Sequence, residues 1–229
     1  MSIILCIETA TEICSVAIVS ETNILSVCEN HEGNAHASQL TGLIEAALKQ
    51  AGFTLQQLDA IAVSKGPGSY TGLRVGVSTA KGLCYALNKP LLAIPTLQSL
   101  AAQFVETVRL EENDLCLSML DARRMEVYCA GYNHLLHEER VTEAKIIDAQ
   151  SFTDELNSGT VYFFGNGAVK CETTITHTNA RFVANIHCSA KGMHRLAVEA
   201  FTQQQFEDVA YFEPYYLKDF VGTTPKKLV

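Results

Sequence analysis

No apolar run in the 229 residues approaches the ~20 needed to cross a bilayer, so a membrane-spanning helix is not expected. The opening run Ile3 to Ile7 is too short for a secretory leader and meets Glu8 at once, which makes a cytoplasmic location the expectation. None of the eight cysteines stands in a C-x-x-C pair, and Cys6, Cys14, Cys28, Cys84, Cys116 and Cys129 lie mostly within apolar runs. They read as reduced, buried small hydrophobes. Positive charge is also scarce: 17 Lys and Arg face 25 Asp and Glu, a formal net charge of -8. That balance argues against an unaided grip on nucleic acid, since phosphate contacts need clustered cations. Arg123, Arg124, Lys226 and Lys227 are the available basic grouping, and any RNA role would need a partner.

Signatures of common chemistries are missing as well. There is no G-x-S-x-G elbow, and no His lies near Ser69 in sequence. His31 and His36 are one residue too far apart for H-E-x-x-H, with Gly33 and Asn34 between them to break the required helix. His134 and His137 flank a Leu-Leu pair after a strand and read as surface residues. What is present is a 48% hydrophobic chain, ample for a core. Its first half reads as three strands (Ile3 to Ile7, Ser15 to Val19, Ile24 to Cys28), a helix, a strand (Ala60 to Ser64), a helix, a strand (Leu91 to Ile94) and a helix capped by Thr96. The second half repeats that order more weakly, from Leu115 to Leu120 through a helix over Lys191 to Gln204. Two lobes follow, 1–110 and 111–229, with the acidic Glu111-Glu112-Asn113-Asp114 between them and no Gly/Ser-rich linker.

The most informative segment is Lys65-Gly66-Pro67-Gly68-Ser69-Tyr70-Thr71-Gly72, a sharp strand-to-helix turn. It reads either as a tight connection or as a cradle whose N–H groups hold an anion at a helix end. The phosphate pattern G-x-x-x-x-G-K-[ST] fails, because Lys65 precedes the glycines. Beyond the turn, Gly72, Gly76 and Ala80 form one stripe of small side chains, open either to the protein's own sheet or to a second chain.

This turn, together with Leu5-Cys6-Ile7-Glu8-Thr9-Ala10-Thr11, His36-Ala37-Ser38-Gln39-Leu40, Asp121-Ala122-Arg123-Arg124 and Glu213-Pro214-Tyr215-Tyr216-Leu217-Lys218, resembles the TsaB (YeaZ) family, with Lys218 where Arg is expected. The resemblance implies an α/β protein with the two-lobed, duplicated RNase H-like fold of the sugar kinase, Hsp70 and actin superfamily. It also implies a role as non-catalytic partner of TsaD, which with TsaE forms N6-threonylcarbamoyladenosine in tRNAs reading ANN codons. In that picture the chain needs no cofactor of its own and the assembled complex binds ATP or ADP. It forms a homodimer when alone, meets tRNA only through the complex and contacts no membrane. The family's helical bundle would use Leu40, Leu43, Ile44, Leu48, Gly72, Val75, Gly76, Thr79, Ala80 and Leu83.

Superfamily members clamp ATP between two Gly-rich hairpins. Here Glu8-Thr9-Ala10-Thr11 has no Gly, and Asp121-Ala122-Arg123-Arg124 puts bulky side chains in the turn, leaving Gly165-Asn166-Gly167 as the surviving pair. Glu8, Thr9, Thr11, Asp121, Arg123, Gly165 and Gly167 therefore mark a vestigial nucleotide cleft, with Glu8 and Asp121 read as solvated carboxylates. TsaD carries an H-x-x-x-H metal pair, whereas His36 is followed four positions on by Leu40, so no metal is expected. The competing reading is an enzyme of the same fold, either a nucleotide phosphohydrolase using Glu8 and Asp121 or a glycoprotease-like peptidase.

Overall fold

The computed structural model describes residues 2–33 and 36–218. Lys226 and Lys227 of the expected basic grouping lie outside them. Two five-stranded sheets form the frame. The first has the order β3-β2-β1-β4-β5 and the second β10-β9-β6-β7-β8. The first comprises β1 (Ile3–Glu8), β2 (Cys14–Ser20), β3 (Ile24–Asn30), β4 (Ala60–Gly66) and β5 (Leu91–Pro95). The second comprises β6 (Leu115–Asp121), β7 (Glu126–Tyr132), β8 (Glu138–Ile146), β9 (Val161–Phe164) and β10 (Ala180–Val183). In each, three antiparallel strands are continued by two parallel ones. The same order occurs twice, which is the duplicated RNase H-like fold.

Five α-helices complete the described chain: α1 (His36–Ala51), α2 (Tyr70–Leu87), α3 (Thr96–Val105), α4 (Thr153–Ser158) and α5 (His194–Thr202). Each apolar face has its own destination. Leu40, Ile44, Ala47 and Leu48 of α1 join Val77, Ala80 and Cys84 of α2 over one face of the first sheet. The other face of that sheet, Ile4, Cys6, Ala17, Val19, Ala62, Leu92 and Ile94, is covered by Ala190 and Met193 of a 3-10 turn and by Ala197 and Ala200 of α5. Conversely, Leu97, Leu100 and Phe104 of α3 pack with Cys116, Leu120, Tyr132 and Phe164 of the second sheet.

The halves thus exchange helices. Each sheet lies on its own side of 110/111, while α3 covers the second sheet and α5 the first. The helix expected over Lys191 to Gln204 also shortens, its first turn being a 3-10 helix from Ala190 to Met193. Thr96 does not cap α3. Pro95 holds the N-cap position, and the Thr96 hydroxyl instead accepts the Gly66 N–H at 3.1 Å.

After α5 the chain runs without regular structure along α2. Glu207 N–H donates to Leu91 O at 2.9 Å, and Lys81 Nζ donates to the carbonyls of Ala210 and Phe212 at 3.1 and 2.9 Å. Arg74 Nε donates to the Tyr216 hydroxyl at 3.2 Å while its guanidinium lies over the Tyr70 ring. The segment ends with Lys218 paired to Glu126 of the second sheet.

Candidate functional site

The β4–α2 turn is built for contact with the chain's own backbone. Ser69 caps α2, its hydroxyl accepting the Gly72 N–H at 3.2 Å. Ser69 N–H donates to Ala10 O at 2.7 Å, and Gly66 N–H is taken by Thr96. The amides of Gly66, Ser69 and Gly72 are therefore engaged internally, which favours the tight connection over the anion cradle. Gly66 has φ +109, a conformation that disfavours any side chain, and a Cβ there would lie 2.5 Å from Tyr215 O.

The small-residue stripe has the same purpose. A Cβ at Gly72 would sit 2.0 Å from Thr9 O, and one at Gly76 2.2 Å from Thr9 Oγ1. The stripe admits the β1–β2 turn, not a second chain. Gly76→Ala is accordingly expected to cost ~1–3 kcal/mol through overpacking, read as a lower urea midpoint at unchanged slope. An unaltered midpoint would show that α2 stands further from Thr9.

This corrects the expected partner surface. Leu40, Ile44, Leu48, Gly72, Gly76 and Ala80 are all buried within the first lobe. Leu43, Val75, Thr79 and Leu83 remain half-exposed at its rim. Sequence reasoning missed the residues on the outer faces: Thr41, Gly42 and Ala46 on α1, and Ser78, Gly82 and Tyr85 on α2, all exposed. A Cβ at Gly42 or Gly82 would meet nothing within 4 Å, and Tyr85 is 86% exposed. A glycine inside a helix costs ~1 kcal/mol relative to alanine, so one with no internal packing reason is itself a signal.

The vestigial cleft proves to be filled. Glu8 is not a solvated carboxylate: it is 0% exposed, with Oε1 accepting the Ala10 N–H at 2.6 Å and Oε2 without a hydrogen-bond partner. Burial pushes its carboxyl up to about 7, with the Ala10 amide, the Ser64 hydroxyl and the Thr9 amide pulling it back only in part. The hydroxyls of Thr9 and Thr11, on the same turn, are buried and equally unpartnered. Asp121, by contrast, is exposed, accepts the Arg123 N–H at 3.0 Å and pairs with Lys170. One carboxylate is sealed inside the first lobe and the other is neutralised on the surface.

Gly165 and Gly167 also serve packing. A Cβ would fall 2.2 Å from Met119 O at the first and 2.7 Å from the Leu120 carbonyl carbon at the second, so the pair presses against the end of β6. Between the lobes, Asn166 Nδ2 donates to Glu12 Oε2 at 3.2 Å. The seam beside them, lined by Thr11, Leu120, His187 and Cys188, has no space for a water molecule. Arg123 and Arg124 stand exposed in the β6–β7 turn with φ of +72 and +49.

His36 is nine-tenths buried, and its Nε2 lies 2.7 Å from Thr11 O. A carbonyl oxygen can only accept, so this nitrogen carries the proton and the ring is committed to holding α1 against the β1–β2 turn. Among the described residues, no three His, Cys, Asp or Glu side chains converge as a metal set requires. All eight cysteines are free, and burial pushes Cys6, Cys84, Cys116 and Cys129 up to about 12, which keeps them as inert thiols. No helix among the described residues is long and apolar enough to cross a membrane.

Comparison with known proteins gives these features a context. Residues 30–220 match the family model described as TsaD, tRNA N6-adenosine threonylcarbamoyltransferase. The tRNA threonylcarbamoyladenosine biosynthesis protein TsaB of Haemophilus influenzae is 26% identical over 98% of this chain and 96% of its own. The structure of YeaZ from Pseudomonas aeruginosa superposes with a TM-score of 0.81 at 27% identity, covering 95% of this chain and all of that one. A tRNA N6-adenosine threonylcarbamoyltransferase from Chelativorans is 43% identical over 97 residues, 42% of this chain but 27% of that enzyme.

Proposed function

The chain belongs to the TsaB (YeaZ) family, and on that premise we propose that it acts in tRNA threonylcarbamoyladenosine biosynthesis as a non-catalytic partner of TsaD. The observation that carries this reading is the contrast between the two sides of the first lobe. Where superfamily members clamp ATP, this chain has a seam with no space for water, one carboxylate buried and the other ion-paired on the surface. On the outer faces of α1 and α2 it spends two helix-interior glycines and an exposed tyrosine on nothing inside the molecule. Open glycines let a second helix approach closely, and aromatic side chains are frequent anchors of interfaces.

The partner surface is accordingly assigned to the outer faces: Gly42 and Ala46 of α1, Ser78, Gly82 and Tyr85 of α2, with Leu43, Val75, Thr79 and Leu83 along the rim. The same faces serve a homodimer when the chain is alone. TsaE and tRNA join through the assembled complex, which holds ATP or ADP, and this chain needs no cofactor of its own. Its charge balance supports that division of labour, since a net -8 repels RNA unless a partner supplies the cations.

Sedimentation of the purified chain with the TsaD homologue of the same cell tests the assignment. Gly42→Leu and Gly82→Leu should leave the fold intact, because each side chain enters open space, yet weaken the complex about fivefold to hundredfold by overpacking the contact by ~1–3 kcal/mol. Folded variants with an unchanged dissociation constant would remove these faces from the interface. Steady ATP turnover by the chain alone, abolished in Asp121→Ala, would overturn the non-catalytic reading.

A further inference from the structure

A cavity of about 450 Å³ lies where the β4–α2 turn, the start of α3, β8 and the C-terminal segment meet. It falls in the ~300–1,000 Å³ range of small-molecule sites. Both halves of the chain build it. Lys65 and Leu97 come from the first half, Glu138 and Val141 from β8, and Tyr215 from the segment that runs along α2. Tyr215 is fastened there by donating its N–H to Lys65 O at 2.7 Å.

The walls carry one cation and one anion that do not satisfy each other. Lys65 Nζ makes no hydrogen bond or ion pair with any described residue, although it is only partly exposed. Glu138 is exposed, accepts from the Thr142 N–H and hydroxyl at 3.2 and 3.4 Å, both from its own strand, and meets no cation among the described residues. Two opposite charges on the walls of one cavity, neither ion-paired with a described residue, match a ligand that bears both. The exposed Val141 side chain and Tyr215 ring offer apolar surface for the body of such a ligand, with Leu97 buried beneath. A polyphosphate fits poorly, because Glu138 would repel it and the amides of Gly66 and Ser69 are already engaged.

We infer that this cavity binds a small zwitterion of the amino acid and short-peptide class, its carboxylate at Lys65 and its ammonium at Glu138. The site is separate from the partner faces of α1 and α2 and does not depend on their assignment. The test is calorimetric titration of the full chain with L-leucine, L-threonine and glycyl-L-leucine, against three probes of single charge: isobutyrate, isobutylamine and inorganic phosphate. Saturable binding is expected for at least one zwitterion, with the single-charge probes at least ~tenfold weaker. Lys65→Met and Glu138→Gln should each weaken that zwitterion by at least ~tenfold, and Lys65→Arg should retain it. The comparison among ligands on the unaltered chain needs no variant to fold. Absence of saturable binding by all three zwitterions up to about 10 mM would overturn the inference. So would tighter binding of phosphate or isobutyrate than of any zwitterion, which would make the cavity a simple anion site.

Discussion

Glu8→Gln should make the protein more stable at pH 8, by about 3 kcal/mol, and by less than about 1 kcal/mol near pH 5. The carboxyl of Glu8 is 0% exposed, with one oxygen on the Ala10 amide and the other unpartnered, and burial raises it to about 7 from the ordinary carboxylate value of 4.5. The folded state therefore holds this proton more tightly than the unfolded chain does. Between about pH 4.5 and 7 the native protein binds more protons, so stability falls as pH rises through that window. The penalty is absent below it and complete above it. The rise from 4.5 to about 7, at about 1.36 kcal/mol for each tenfold in proton affinity, gives the magnitude. Glutamine keeps an acceptor for Ala10 N–H but carries no charge to desolvate. Urea midpoints of both proteins at pH 5 and pH 8 measure the difference, and a gap that does not grow with pH would mean that the Glu8 carboxylate is better solvated than its burial indicates.

The burial of Glu8 marks the limit of what the sequence discloses. A carboxylate directly after a strand and before Thr-Ala-Thr has the pattern of a solvated turn. The helix that lids it lies some sixty positions away, and it comes close only because Gly72 and Gly76 let α2 settle onto Thr9. The strands were legible because they are short apolar runs bounded by breakers, and β1 through β5 appear within a residue or two of their expected ends. The duplicated order was legible too, and with it the fold. The direction of each helix face was not. Leu40, Ile44 and Leu48 announce an amphipathic helix, but periodicity alone does not say whether its apolar stripe meets a sheet of the same chain or a partner. Gly42 and Gly82 were the available clue to the outward faces, since each weakens a helix for no internal gain. Nor could composition show which sheet α5 covers, because Ala197 and Ala200 are small enough to lie on either.

That exchange of helices leads to the other large effect: residues 1–110 alone should not fold, although they contain a complete five-stranded sheet and three helices. Cutting there uncovers one face of the first sheet, where Ile4, Val19, Leu92 and Ile94 lose Met193, Ala197 and Ala200. It also strands α3, whose Leu97, Leu100 and Phe104 have their partners on the second sheet. Seven large side chains, all nearly or fully buried in the intact chain, become exposed. At ~1.5–3 kcal/mol for each, the loss is ~10–20 kcal/mol, as large as the ~5–15 kcal/mol by which domains of this kind are stable. The fragment should give collapsed amide shift dispersion and no cooperative thermal transition. Mixed during refolding with residues 111–229, it should recover both, because the two pieces together carry every helix that either sheet requires. A monomeric 1–110 fragment with a cooperative transition would show that α3 can fold back onto the first sheet in place of α5. In that case the two lobes would be separable units rather than one interlocked body.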